Sequence, residues 1–222
     1  MKLYKAGQVP PQSHMYFVYG DGGTGKTTLF KQFKEPKILF SFDLSTNVLR
    51  GDEDTDIVLV ERKDAPNIQS IVMNQVSGAL NTGNYKAIAL DNMSALQNLV
   101  LENIDNAAKD NRQNYQKLQL WFRQLGTMLR ESNVDVYATA HQVDNGTSGL
   151  TAKGRYAADM NEKTFNAFTS MFDFVGRIYK QDGQRWINCD PEAGNHGKNR
   201  IDDRTQFKAE ELLDPNEDKE NE

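Results

Sequence analysis

The sequence predicts an α/β fold: a mostly parallel sheet flanked by helices, with an antiparallel hairpin at one edge. Three observations carry that prediction. Short β-rich apolar runs alternate with segments of helical periodicity along residues 15–140. A glycine-rich break joins the first of those runs to the first helical one. Near the end of the chain, two β-rich runs face each other across Asp182-Gly183, a dipeptide suited to a tight hairpin turn.

Each element has its own signal. Residues 15–19, MYFVY, read as the first strand, and residues 26–34 as the helix after the glycine break. Strands follow at 37–42 and 56–60, then a weak helical pattern over 67–80. Residues 85–91, YKAIALD, form an apolar strand ending in an acid. Leu96, Leu99, Val100, Ile104 and Ala107 recur at helical spacing, as do Leu118, Trp121, Phe122, Leu125 and Leu129. A strand at 134–140 precedes a long loop over 143–160, broken by Gly146, Gly149 and Gly154. A helix around 162–171 leads into the closing hairpin, residues 172–180 and 184–189, and 195–199 reads as loop.

Composition sets the outer bounds. A chain of 222 residues suits one domain with a full core. No apolar run approaches the roughly 18 residues that cross a bilayer, and the start MKLYKAGQVPPQS lacks the apolar stretch of a signal peptide, so no membrane partner is expected. The single cysteine, Cys189, excludes an internal disulfide and a multi-cysteine metal site, which fits a reducing cytoplasm. Net charge is −5, but residues 209–222 hold seven acids and one lysine, leaving +1 on residues 1–208. The expected division is therefore a nucleotide-binding domain over 1–208 and an acidic disordered tail over 209–222. That tail is read either as a solubilising end or as a segment that competes with DNA phosphates.

The chemistry starts at residues 20–27, GDGGTGKT: Gly20, Asp21, Gly22, Gly23, Thr24, Gly25, Lys26 and Thr27. They match G-x-x-x-x-G-K-[ST] in full, between a strand and a helix. Glycines let successive backbone N–H groups turn toward an anion. Lys26 is expected on the β- and γ-phosphates, the Thr27 hydroxyl on magnesium and Thr28 at the α-phosphate of ATP. Asp91 ends its apolar strand where a magnesium-holding acid belongs, so Thr27 and Asp91 are the expected metal pair. Asn92 is open to two readings, a second polar contact or the N-cap of the next helix.

With these residues in place, the string LDNMSAL at 90–96 resembles the corresponding segment of the RecA superfamily, as does ATAHQV at 138–143. Residues 197–200, GKNR, are similar to the basic motif that those proteins present across a subunit interface, and residues 172–177, FDFVGR, resemble a segment of the short phage-encoded RecA-like ATPases of single-strand annealing and recombination, a group labelled with the AAA ATPases. The resemblance spans about residues 15–205. It implies a RecA-like P-loop core with ATP and Mg2+, and ATP-dependent action on single-stranded DNA as a homo-oligomer or filament. It also implies a single-strand-binding or recombination protein as a further partner, and the host cytoplasm as the location. It makes Gln142, beside His141, a γ-phosphate sensor, and Arg200, with Lys198, a finger reaching a neighbour's nucleotide; packing and ordinary surface charge are the plainer readings. The chain departs from the family where Ser45 stands in the place of the catalytic glutamate. Asp43, on the same side of an extended strand, positions the attacking water or is structural.

Within the 143–160 loop, Lys153 and Arg155 can meet phosphates and Tyr156 can stack on a base, although Asp144 and Asp159 dilute the field. The pair Arg185-Trp186 reads as a stacking pair or as hairpin packing. Two functions of other classes stay beside the DNA-dependent ATPase. One is a nucleotide-gated binding module that does not hydrolyse. The other is a P-loop small-molecule kinase, which needs an arginine-rich lid that this sequence lacks in any dense form. A hexameric helicase relative is a further possibility, without an added domain to support it.

Overall fold

The computed structural model describes residues 2–146 and 154–213. Lys153 and residues 214–222 of the acidic segment lie outside them. The elements, in chain order, are β1 (Met15–Gly20), α1 (Lys26–Leu29), β2 (Lys37–Ser41), β3 (Thr55–Leu59), α2 (Ile68–Asn81), β4 (Ala87–Asp91), α3 (Met93–Glu102), α4 (Asn111–Glu131), β5 (Asp135–Ala140), β6 (Gln142–Asp144), β7 (Tyr156–Ala158), α5 (Glu162–Thr169), β8 (Phe174–Gln181), β9 (Gln184–Asn188), β10 (Lys198–Asn199) and β11 (Gln206–Lys208).

The main sheet runs β11-β9-β8-β1-β5-β4-β2-β3, with β10 attached to β8. Pairing is parallel from β8 to β3 and antiparallel for β8–β9, β9–β11 and β10–β8. The α/β class with a mostly parallel sheet, flanking helices and an antiparallel edge is thus the observed fold. At the edge hairpin Asp182 and Gly183 both take positive φ, 51° and 77°, as a two-residue turn between twisted strands requires.

Strand alternation divides the core in two. Phe17, Tyr19, Phe40, Leu90, Val136 and Ala138 face the buried sides of α2 to α5. Tyr16, Val18, Leu39, Ala89 and Tyr137 face α1, Leu49 and the chain end at Ala209 and Leu212. The long helices therefore cover one face, and a short helix with irregular segments covers the other.

Several expected elements change. The helix expected over 26–34 is a single α-turn followed by a 3-10 turn at Phe30–Gln32, and Phe33 is already extended. Pro36 follows closely and disfavours helix in the residue before it. The 143–160 stretch is not all loop: β6 and β7 pair as a small antiparallel sheet, Val143 opposite Ala157. Lys198–Asn199, expected as loop, pairs with Phe174 and Val175, and β11 extends the edge hairpin. The boundary placed after residue 208 also moves. Ala209 and Leu212 are 3% exposed, so apolar burial holds the fold together through Leu213.

Candidate phosphate-binding site

Because β1, β4, β5 and β2 are parallel, their carboxyl ends meet at one edge of the sheet, the edge where α/β proteins hold ligands. Register then selects the side chains. Ser41 pairs with Asp91, and Thr139 lies one step beyond the pair Leu90–Ala138, so all three share the face that carries α1. Gly20 closes β1 against Ile178, where a Cβ would stand 2.3 Å from the Ile178 carbonyl oxygen, so only glycine fits. Gly25, at φ 97°, turns the chain into α1.

The side chains expected at the phosphates do converge. Thr27 Oγ1 donates to Asp91 Oδ2 at 2.6 Å, and Thr139 Oγ1 donates to Asp91 Oδ1. Lys26 Nζ donates to the carbonyls of Gly20 and Asp21 at 2.8 and 2.9 Å, and Tyr137 Oη donates to the Lys26 carbonyl at 2.8 Å. Thr24 Oγ1 closes the loop onto the Asp21 carbonyl. Gly22, Gly23 and Thr28 are on the exposed side.

Burial dominates the electrostatics. Asp91 is 4% exposed; desolvation raises its pKa, with Asp43 adding to the rise and the Thr139 and Thr27 hydroxyls and Lys26 opposing it. Desolvation likewise lowers Lys26, against the pull of Asp91, Asp21 and Asp43. A carboxylate held at high pKa in a buried oxygen-lined corner is poised to gain from a cation. The buried Ser41 Oγ, on the strand beside Asp91, has no hydrogen-bond partner among the described residues. One carboxylate and one threonine hydroxyl suit magnesium, which takes few protein ligands and completes its shell with phosphate oxygens and water.

Asp43 stands at the same edge. Its Oδ2 accepts from Asn92 Nδ2, and its Oδ1 accepts from the Ser45 N–H at 3.0 Å. Asn92 Nδ2 also lies 3.2 Å from His141 Nε2, while Asn92 Oδ1 accepts from the Ala95 N–H. The N-cap reading of Asn92 is the observed one, and its amide nitrogen meanwhile faces Asp43 and His141. Ser45 is exposed on the turn after Asp43.

Gln142 joins the loop to the far side of the edge. Its Nε2 donates to Asp21 Oδ2 at 2.9 Å, and its Oε1 accepts from Arg177 Nε at 2.9 Å. The Arg177 guanidinium covers the Tyr156 ring at 3.4 Å from its centre. Arg155 pairs with Asp144 through both Nε and Nη2 at 2.9 Å, so of the two candidate DNA contacts among the described residues Arg155 is engaged within the hairpin and Tyr156 by Arg177 of β8.

Arg200 is not part of this edge in its own chain. Its N–H donates to the carbonyl of Asp173, just before β8 begins, whereas Gly20 of the P-loop pairs with Ile178 further along that strand. The five steps of strand from Asp173 to Ile178 amount to roughly 16 Å. Lys198 Nζ donates to the Thr169 carbonyl at 2.7 Å and so finishes α5.

With this geometry in view, residues 12–201 match the family profile of the AAA domain. The chain belongs to the AAA domain family. No curated protein matches it. As an AAA domain it is a P-loop protein of ATPase type, and the matched span covers both the P-loop and the Asp91 edge. Among the described residues no helix is long and apolar enough to cross a membrane, and no cluster of three or more His, Cys, Asp or Glu side chains could hold a metal.

Sequence reasoning missed four participants in this AAA domain: Thr139, Arg177, Tyr137 and Ser94, whose Oγ accepts from the His141 N–H. Thr139 carried a signal, a lone polar residue in an apolar strand end. Arg177 carried none until β8 was known to lie beside β1.

Proposed function

We propose that this chain is a magnesium-dependent ATPase whose nucleotide state is coupled to single-stranded DNA at the β6–β7 hairpin, acting in recombination or annealing as an oligomer or filament. The observation that carries the reading is the bridge through Gln142. One side chain touches Asp21 of the P-loop and, through Arg177, the ring of Tyr156 on the hairpin. Tyr19 supports the same link, since its hydroxyl donates to the Tyr156 carbonyl at 3.0 Å one residue before Gly20.

In this reading Thr27 and Asp91 hold magnesium, which when bound neutralises charge between the β- and γ-phosphates. Lys26 supplies a fixed cation to the same oxygens in a buried place where it acts strongly. Gln142 registers the γ-phosphate. Arg155 and Tyr156, with Lys153, meet the DNA backbone and bases, which requires Arg155 to leave Asp144. Arg200, exposed at the opposite end of the sheet, serves a neighbour's nucleotide only. AAA family membership supports nucleotide binding and hydrolysis in general terms.

The test is ATP turnover with and without single-stranded DNA, double-stranded DNA and RNA, with particle size measured in parallel. Stimulation by single-stranded DNA, with assembly, is the expected result. Equal turnover under all four conditions sinks the coupling.

One observation favours a second reading, a nucleotide-gated module without turnover. Both oxygens of Asp43 are occupied, by Asn92 and by the Ser45 N–H, which is how a structural carboxylate sits. Under that reading ATP tightens DNA binding with no phosphate released, and Asp43→Asn leaves the tightening intact.

A further inference from the structure

Strand alternation gives the β6–β7 hairpin two faces. Gln142 and Tyr156 turn toward Asp21 and Arg177. Val143 and Ala157, paired with each other, turn the opposite way and line a cavity of about 360 Å3. That is at the small end of the range for ligand pockets, about 300–1,000 Å3, and leaves room for one heterocycle. Phe165 of α5 and His196 also line it, their ring centres 4.6 Å apart and inclined at 60°. The main sheet holds both rings. Phe165 packs on Phe17 of β1 at 5.3 Å, and the His196 N–H reaches Tyr19 Oη at 2.8 Å and the Tyr156 carbonyl at 2.9 Å.

The polar groups around these apolar walls are mostly acceptors. Glu162 lines the cavity from the start of α5, and its exposed carboxylate makes no hydrogen bond among the described residues. Asn145 spends its Nδ2 on the Gly154 carbonyl at 3.1 Å and keeps its Oδ1 to accept. Burial lowers the pKa of His196, with Glu162 opposing, so the ring is neutral at neutral pH and carries one acceptor and one donor. Aromatic walls with two free acceptors suit a flat ring that presents an N–H donor.

We infer that this cavity takes one nucleobase with an exocyclic amino group, such as cytosine, its ring against Phe165 and His196 and its amino group donating to Glu162 and Asn145. The inference rests on the reading that the hairpin meets single-stranded DNA. Stacking on aromatic rings accepts any base, whereas a carboxylate selects cytosine, since thymine presents an acceptor oxygen where cytosine presents its amino group. A free nucleoside has the same chemistry. A strand is the source here, because Arg155, whose carbonyl accepts from the Asn145 N–H at 2.8 Å, stands beside the cavity to hold a phosphate.

The test binds the full chain, in magnesium-ATP, to equal-length single strands of deoxycytidine, deoxythymidine and abasic sugar-phosphate, and crosslinks a deoxycytidine strand carrying one 5-iodocytosine. Wild type is compared with Ala157→Phe, which fills the cavity from the hairpin, and with Glu162→Gln, an exposed change that leaves the core untouched. Wild type should bind deoxycytidine about tenfold more tightly than deoxythymidine, and the ratio should fall toward one in both variants. The crosslink should map to residues 160–168 or 195–197 and be lost in Ala157→Phe. Both variants should bind the abasic strand as wild type does, which checks their folding. Free cytidine separates the two sources. If it binds wild type but not Ala157→Phe, and no strand crosslinks at those residues, the cavity remains a nucleobase site and its ligand is the free nucleoside. A crosslink confined to residues 142–156, with equal affinity for the two base-bearing strands and no cytidine binding, overturns the site. Single-strand binding at the hairpin stands in that outcome. No binding of any strand or of cytidine by wild type removes both.

Discussion

Asp91 shows what the site costs at the scale of one residue. Its carboxylate is buried, and desolvation raises its pKa, so the ionised form is disfavoured in the fold relative to the unfolded chain. Where the folded pKa is raised, this destabilisation is present above the folded value and is relieved as pH falls through it. Asp91→Asn removes the charge and keeps the shape. Its melting temperature without nucleotide is expected to rise by a few degrees, roughly 2–4 °C per kcal/mol for a chain of this size. Magnesium-dependent ATP binding and turnover should fall together in the same variant. A lower melting temperature with activity retained would show that Asp91 is structural. This part of the site was legible in the sequence because its signals are local: an eight-residue loop motif and an acid at a strand end. Arg177 was not legible as a residue tied to this edge, since nothing adjacent to it in sequence says that β8 comes to lie beside β1.

At the scale of elements, the β6–β7 hairpin is the part tied to the P-loop by a side chain, Gln142 on Asp21. Gln142→Ala cuts its side-chain link to Asp21 and Arg177 and leaves the Tyr19 hydrogen bond in place. ATP and DNA should still bind separately, while the factor by which ATP tightens DNA binding falls toward one. By reciprocity the effect of DNA on ATP affinity falls equally. Titrations of each ligand with the other present or absent decide it, and a wild-type factor in the variant refutes the bridge. At the other end of the sheet, β10 carries Lys198 to the end of α5. Burial, then the charge of Arg200, lowers its pKa to about 8. The unfolded ammonium titrates near 10.4, so between those values the unfolded chain binds more protons and stability rises with pH. Lys198→Met lacks this dependence. The stability of wild type minus that of the variant should therefore increase from about pH 7 to about pH 10 in denaturant titrations, and a constant gap would contradict the burial of the ammonium. The sequence marked β10 as loop because two residues carry no period, and it overextended α1 because Pro36 acts from beyond the helical pattern.

At the scale of the whole molecule, the acidic charge of the sequence gathers past the last core residues. Residues 214–222 hold five acids and one lysine, a net of −4, whereas Ala209 and Leu212 are core. A chain ending at Leu213 should fold as the full chain does. It should bind single-stranded DNA a few-fold more tightly at low salt, the difference shrinking as salt screens it. Equal affinity across a salt series would leave the acidic segment without a role in DNA binding. A cut after residue 208 would instead remove buried side chains and confuse charge with stability.

The central place of β1 has a consequence for how the protein is made. This strand leaves the ribosome well before its two neighbours, β5 and β8, with Met15 beside Val136 and Tyr16 beside Phe174. Contacts so distant in sequence form late and slowly. A nascent chain that stops short of Phe174 has one edge of β1 bare and no Ile178 to hold Gly20, although the whole glycine loop has long been synthesised. The apolar run MYFVY then waits as an open template for other strands, in need of shelter until β8 emerges.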